Sequence, residues 1–408
     1  MNDHETEVPV LFLCPISLQL MRDPVTVCTG ITYDRENIER WLISCRNSIC
    51  PVTKQPLLHT DLSLTPNHTL HRLIQAWCKS NANFGIEYIS TPKPTIHRTH
   101  IDTLLTEAKS FPDKLLGCLK RLQSIALESE SNKICLVSAG VIDFLASTLK
   151  SNHQEDLTDI MIIEAAIEVL VQLNLSSAHL EPLMNNEGIQ FIESLFQVLR
   201  LGNNKCRGYA TILLKSAFEV AGPTQLNSVR KELFVEIIRV LSDQISQQAS
   251  KAALRLLLEL FPWGRNRIKA VEGGTVLVLV ELLLGVNDRR ACELMLMALD
   301  KLCDCAEGRA ELLNHGAGLA IVSKKILRFS HVVSDRGVRI LGSICRYSAT
   351  PRVLHEMLLV GAVNKLCLVL QVDGNIKTKE RAMEILKLHS MVWKNSPCIP
   401  FPLLSLYP

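Results

Sequence analysis

Apolar and polar residues follow three different rhythms along the chain. From about residue 101 to 394 the rhythm is helical nearly throughout. RRACELMLMALDKLC (289–303) sets Ala291, Leu294, Met295, Ala298, Leu299 and Leu302 on one face at i, i+3, i+4 spacing. DRGVRILGSICRY does the same with Val338, Leu341, Ile344 and Cys345. A glycine followed by apolar residues recurs at Gly140, Gly188, Gly274, Gly316 and Gly361, with gaps of 48, 86, 42 and 45 residues. A glycine-free unit, KELFVEIIRVL from Lys231, falls inside the long gap. Such a period predicts about six units of two or three helices, stacked because one unit cannot bury its apolar face alone. Each glycine is expected to end one helix and turn the chain into the next. The rival reading is a single irregular helical bundle; five marks on multiples of one period favour the repeat.

The rhythm differs between residues 8 and 79. DPVTVCTGITYD (23–34) reads as two short strands joined at Thr29-Gly30, with Cys28 inside the first. Asp34 is the expected N-cap of a helix carrying Ile38, Trp41 and Leu42. A second loop follows at SICPVTKQPL, then a helix with Leu70, Leu73, Ile74 and Trp77 on its apolar stripe. Residues 80–100 are polar with Thr-Pro and Lys-Pro steps, which predicts an extended connector. The tail 395–408, NSPCIPFPLLSLYP, has four prolines and no period, and is expected to be unpacked and disordered.

Composition narrows the picture. Among 408 residues, 47% are hydrophobic but only 5% aromatic, as helices packed on helices require. A net charge of +3 with no basic block argues against nucleic acid as a partner. The longest apolar run, VLVLVELLLGV (276–286), is too short for a membrane span and is broken by Glu281. The first ten residues are polar and acidic, unlike a signal peptide. The expectation is a soluble protein of the cytoplasm, with the nucleus a second location. Fourteen scattered cysteines then read as reduced thiols acting as small apolar residues. Cys303 and Cys305, two apart on a helix, do not share a face.

The amino-terminal cysteines raise the question of zinc. A two-zinc finger needs eight ligands, starting with paired cysteines. Cys14, Cys28, Cys45, Cys50 and Cys78 are never two or four apart, and His59, His68 and His71 follow at no fingerlike spacing. No metal or other cofactor is expected. Shape must then come from an apolar centre (Val25, Val27, Ile38, Leu42, Leu70, Ile74) and from polar side chains bonded to loop backbone. Ser17, Asp23, Thr32, Asp34, Arg35 and Asn67 suit the second task. A covalent role for Cys14, Cys28 or Cys50 lacks the neighbouring His/Asp pattern that would activate a thiolate.

At this point the residues match a known family. CPI (14–16), DPV (23–25), TGITYDR (29–35), IERWL (38–42), CPVTKQPL (50–57), LTPNHTLHRLI (64–74) and Trp77 together resemble a U-box. The helical period is that of armadillo or HEAT repeats, and the whole order resembles plant U-box proteins with carboxy-terminal armadillo repeats. STPKP (90–94), CAEGRAELL (305–313), HGAGLAIVSKKILR (315–328) and LCLVLQVD (366–373) resemble the subgroup implicated in stress and immune signalling. The implied fold is mainly α: a small α+β, zinc-free, RING-like U-box at 8–79, a linker at 80–100 and an armadillo α-solenoid at 101–394.

The resemblance implies an E3 ubiquitin ligase that works without a covalent intermediate. Its partners would be a ubiquitin-charged E2 conjugating enzyme, ubiquitin itself and a protein substrate on the repeats. The first loop, Cys14, Pro15 and Ile16, the helix residue Trp41 and the second loop at Pro51 would form the E2-docking face. For Ile16 and Trp41 the alternative is ordinary core. Lys54 would bridge ubiquitin and the E2; it stands equally as a solvated surface lysine, and it lacks the planar fork of arginine. Pairing of two U-boxes through the face opposite the loops is left open. The rival function is a non-enzymatic armadillo scaffold with an inactive U-box.

Overall fold

The computed structural model describes residues 8–44, 49–57, 64–81, 96, 98–151 and 157–394. The chain divides into two compact units, residues 1–144 and 145–408. The expected tail, 395–408, and most of the expected linker lie outside the described residues.

The first unit opens with a 3-10 turn, Val10–Phe12. The expected hairpin follows: β1 (Pro24–Thr26) pairs antiparallel with β2 (Thr32–Asp34), Val25 opposite Tyr33. Gly30 makes the tight turn possible with a φ of 80°. Cys28 sits in this turn, exposed, not within a strand as expected. A strand that the pattern does not announce, β3 (Thr65–Pro66), pairs with the other edge of β1 and completes a sheet of order β2-β1-β3.

Helix α1 (Arg35–Glu39) runs into a π-helical turn, Arg40–Ser44. Asp34 precedes it but does not cap it. Its Oδ1 turns back and accepts the N–H groups of Arg22 at 2.7 Å and Asp23 at 2.9 Å. Helix α2 (His68–Ser80) is capped by Asn67, whose Oδ1 accepts the Leu70 N–H at 3.0 Å. Val25, Ile38 and Ile74 are buried in the core, and Leu42 and Leu70 pack against it half-buried. Met21, Val27, Tyr33, Leu57 and the thiols of Cys14, Cys50 and Cys78 complete the buried cluster.

Next come α3 (Arg98–Ser110), α4 (Leu115–Glu128), α5 (Glu130–Ser138) and α6 (Val141–Ser151), the last crossing the boundary between the units. The second unit continues with α7 (Leu157–Gln172), α8 (Ser177–Leu201) and α9 (Asn204–Glu219). Four helix triplets follow. They are α10 (Pro223–Asn227), α11 (Lys231–Ser242) and α12 (Gln247–Leu260); then α13 (Gly264–Glu272), α14 (Thr275–Gly285) and α15 (Arg289–Leu302). The last two are α16 (Ala306–Asn314), α17 (Gly318–Lys325) and α18 (His331–Tyr347), and α19 (Pro351–Leu359), α20 (Ala362–Gln371) and α21 (Ile376–Leu388), closed by α22 (Ser390–Trp393). The third helices pack in a row: α9 on α12, α12 on α15, α15 on α18 and α18 on α21.

Gly140, Gly274 and Gly361 take left-handed φ values of 77°, 88° and 72° at helix–helix turns, as the repeat predicts. Gly188 departs from that expectation. It is buried inside α8, where the first two helices of the unit run on as one. Gly316 lies in a turn without a left-handed φ. Among the described residues no single helix is long and apolar enough to cross a membrane.

Candidate functional site

One loop is built twice in the first unit. Cys14-Pro15-Ile16-Ser17-Leu18-Gln19 and Cys50-Pro51-Val52-Thr53-Lys54-Gln55 share a pattern, and they share its geometry. In each, the cysteine N–H donates to the glutamine carbonyl at 2.8 Å. The fifth residue's N–H donates to the cysteine carbonyl, at 2.8 Å from Leu18 and 3.0 Å from Lys54. That closure forces the fifth residue into the left-handed region, φ 57° at Leu18 and 59° at Lys54. The Ser17 and Thr53 hydroxyls accept the glutamine N–H at 3.4 and 3.5 Å. Short antiparallel bridges, Leu13 to Leu20 and Ile49 to Pro56, seal the two bases.

Both cysteines point inward. The Cys14 Sγ accepts the Asp34 N–H at 3.3 Å and an Asn37 Nδ2–H at 3.8 Å. Asn37 also donates to Ser17 Oγ at 3.1 Å. The Thr29 hydroxyl donates to Cys50 Sγ at 3.3 Å, and the Tyr33 hydroxyl lies 3.1 Å from the same sulfur. Tyr33 accepts the Val52 N–H at 3.3 Å, which leaves its own proton for the sulfur. Burial pushes the Cys50 thiol up, but hydrogen bonds from Thr29, Thr53 and Tyr33 outweigh it and bring the pKa down to about 6. Burial, then the bond to Cys50, raises that of Tyr33. Hydrogen bonds thus hold the loops where a finger would use ions. Among the described residues no three His, Cys, Asp or Glu side chains come together to hold a metal; Cys45 and His59 lie outside that set.

The polar residues singled out from the sequence now have partners. Arg35 Nε donates to Asp23 at 2.5 Å. Asn67 Nδ2 donates to Thr26 Oγ1 at 3.4 Å and Thr32 Oγ1 at 3.3 Å, tying α2 to the sheet.

Of the residues expected on a docking face, Cys14 must be moved. Its side chain is 0% exposed, so it closes the first loop from within and offers no surface. Pro15 is exposed, and Ile16 and Pro51 are half-buried at the loop tips. Trp41 is half-buried against the core, and its Nε1–H donates to the Ile49 carbonyl at 2.9 Å, fixing the entry to the second loop. Ile16 and Trp41 each pack one side on the core and leave the other side uncovered. Lys54 is exposed. Sequence reasoning missed Leu18, 74% exposed, and Val52, 50% exposed. The signal was present in the duplicated hexapeptide, which aligns Ile16 with Val52 and Leu18 with Lys54.

On the repeats, many charges of the third helices hold neighbouring units together. Asp300, 3% exposed, accepts from Arg336 at 2.9 Å and Arg339 at 2.8 Å. Burial raises its pKa, and the two arginines work against that. Asp335 accepts from Thr378 and Arg381, both at 2.7 Å. Arg289 pairs along its own helix with Glu293 at 3.1 Å.

Comparisons with known proteins agree along the chain. A family model described as the plant U-box protein ARM repeat region matches residues 100–406, and a U-box domain model matches residues 8–83. The Arabidopsis thaliana protein E3 ubiquitin-protein ligase PUB23 is 49% identical over 411 residues, covering 100% of this chain and 98% of that one. E3 ubiquitin-protein ligase PUB22 of the same plant is 48% identical over 435 residues, covering 100% of both. E3 ubiquitin-protein ligase PUB24 is 35% identical over 447 residues, covering 99% and 97%. A solved structure from work on a phosphorylation switch in the interaction between cadherin and beta-catenin aligns with a TM-score of 0.58 at 14% identity, over 79% of this chain and 58% of that one. That likeness concerns the fold alone.

Proposed function

The chain belongs to the plant U-box proteins with an ARM repeat region and acts as a U-box E3 ubiquitin ligase; on that premise we propose that its twin loops dock a ubiquitin-charged conjugating enzyme. The observation that carries this reading is the pair of self-closed loops. They leave Leu18 and Val52 exposed and Ile16 and Pro51 half-buried at the tips beside exposed Pro15, and Trp41 is bonded to the entry of the second loop. Such a face is apolar and already ordered, so binding immobilises little that was free. A few aliphatic side chains in shallow pockets then carry the affinity.

The chemistry needs no nucleophile on this chain. A lysine amine of the acceptor attacks the carrier's thioester, the carbon–sulfur bond breaks, and an isopeptide bond and a free carrier thiol result. The ligase contributes by holding carrier, ubiquitin and acceptor in one productive arrangement, an effect worth several kcal/mol at most in this setting (about 10-fold per 1.4 kcal/mol). Lys54, exposed at the tip of the second loop, is in reach of solvent to bridge carrier and ubiquitin as a point charge. The acceptor protein is bound by the row of third helices, and the role is in stress or immune signalling; the stretches at 90–94, 305–313, 315–328 and 366–373 support that finer assignment.

Reconstitution tests the reading. Ubiquitin, activating enzyme, this chain and a panel of conjugating enzymes should yield ubiquitin chains and self-modification. Silence with every carrier, from a folded chain, would instead mark a non-enzymatic scaffold.

A further inference from the structure

The third helices gather positive charge that no single stretch of sequence displays. α9, α12, α15, α18 and α21 together hold fifteen Lys and Arg against seven Asp and Glu, although the whole chain nets only +3. The cations arrive a few to each helix and meet only because these helices pack in a row. Ion pairs along the row sharpen the imbalance. Asp300 is buried, while the side chains of Arg336 and Arg339 that hold it stay 25% and 31% exposed. Asp335 and Glu293 are likewise less exposed than their partners Arg381 and Arg289. Among the described residues, two acids of the row, Glu259 and Glu380, lack an ion pair, against six cations: Lys251, Arg255, Arg290, Lys377, Lys379 and Lys387.

The same pairs show that α15, α18 and α21 turn one face to a common side. Asp300 reaches α18, and Asp335 and Arg346 of α18 reach Arg381 and Glu384 of α21. Helix α12 joins them by register. α12, α15 and α18 begin at Gln247, Arg289 and His331, 42 residues apart each time. Lys251 therefore stands where Asp335 does, and Arg255 where Arg339 does; both are exposed.

We propose that this face binds an extended, acidic segment of the acceptor protein, whose Asp and Glu side chains lie along α12, α15, α18 and α21. This rests on the reading that the third helices hold the acceptor, and it names the chemistry they select. Four helices with axes about 10 Å apart span roughly 30 Å, which an extended segment of about ten residues covers. Charge complementarity of this kind decides which partner is accepted and speeds its arrival more than it adds affinity. The cations are exposed, so salt weakens the attraction.

The experiment titrates the full chain into a fluorescent Asp/Ser peptide of about twelve residues and reads anisotropy. The peptide should bind at about 50 mM salt and at least tenfold more weakly at about 300 mM, while a Lys/Ser peptide of equal length stays free. Lys251→Glu with Arg255→Glu should weaken binding at least tenfold. The corresponding pair of Gln substitutions, which adds no repulsion along α12, should weaken it less while keeping the parental urea midpoint. Arg265→Glu with Arg352→Glu makes the same change of charge at exposed positions of α13 and α19 and should bind as the parent does. Absence of peptide binding at low salt overturns the proposal. Equal weakening by the two Glu pairs does so too, since net charge alone would then act. Tighter binding of a single-stranded oligonucleotide of equal charge would overturn it in favour of nucleic acid. Discharge of a ubiquitin-charged carrier onto free lysine is measured alongside: its absence sinks the ligase reading, whereas the peptide titration by itself decides the acidic face.

Discussion

Replacing Asn67 by alanine takes three hydrogen bonds from one amide group. The cap on Leu70 N–H at 3.0 Å is lost, as are the bonds to Thr26 and Thr32 at 3.4 and 3.3 Å. The backbone bond from Asn67 N–H to the Pro24 carbonyl, 2.8 Å, is independent of the side chain. An asparagine cap contributes about 1 kcal/mol. The two bonds to hydroxyls are long and neutral, about 0.5 kcal/mol each, and the threonines keep their mutual bond of 2.9 Å. Asn67→Ala should therefore destabilise the U-box by about 2 kcal/mol. Asn67→Asp isolates the parts. A carboxylate keeps the cap and gains from the helix dipole, but donates nothing to the sheet, so a loss of about 0.5 kcal/mol is expected. The assay is urea unfolding of the full chain read by hydrogen exchange of the α2 amides, which sees this region alone. An alanine variant within about 0.3 kcal/mol of the parent, or an aspartate variant as unstable as alanine, would refute the view that this amide ties helix to sheet.

Three further outcomes follow from the same geometry. Ile16→Ala and Leu18→Ala should each weaken carrier binding about tenfold or more in a discharge titration while α2 exchange is unchanged; undiminished activity in both would remove the docking face. Cys50 has a folded pKa of about 6, below its ordinary 9.0, so the unfolded chain binds more protons between those values. The U-box should then gain stability as pH rises from 6 to 9 and lose it as pH falls through 6, and Cys50→Ala should flatten that slope in urea midpoints. Asp300→Ala leaves Arg336 and Arg339 without their shared acceptor and should cost the repeats about 3 kcal/mol, seen as faster exchange in α15 and α18; an unchanged profile counts against an inter-repeat role.

The hairpin, helices α1 and α2 and the repeat period were legible because each is a local pattern: a turn glycine between alternating residues, or a stripe at helical spacing. What escaped depends on distant partners. Strand β3 is two residues long and contains proline; only the free edge of β1 makes it a strand. Asp34 had the right position for a cap, yet two N–H groups eleven and twelve residues back compete better for its oxygen. Gly188 carries the same local signature as Gly274, but the chain around it stays helical and buries it. Within the site, the motif supplied the loops and their prolines. It did not say which side chains face out, because burial of Cys14 and exposure of Leu18 follow from the closure of the loop in three dimensions.

The doubled loop has a consequence for how such a face can change. Every bond that closes it runs through main chain, through an inward sulfur or through a small hydroxyl. The side chains at positions 18, 52 and 54 take no share in the closure. If the twin loops dock the carrier as proposed, these side chains are the letters of an address written on a fixed envelope: exchange among them would redirect the chain from one carrier to another while the fold beneath is left as it was.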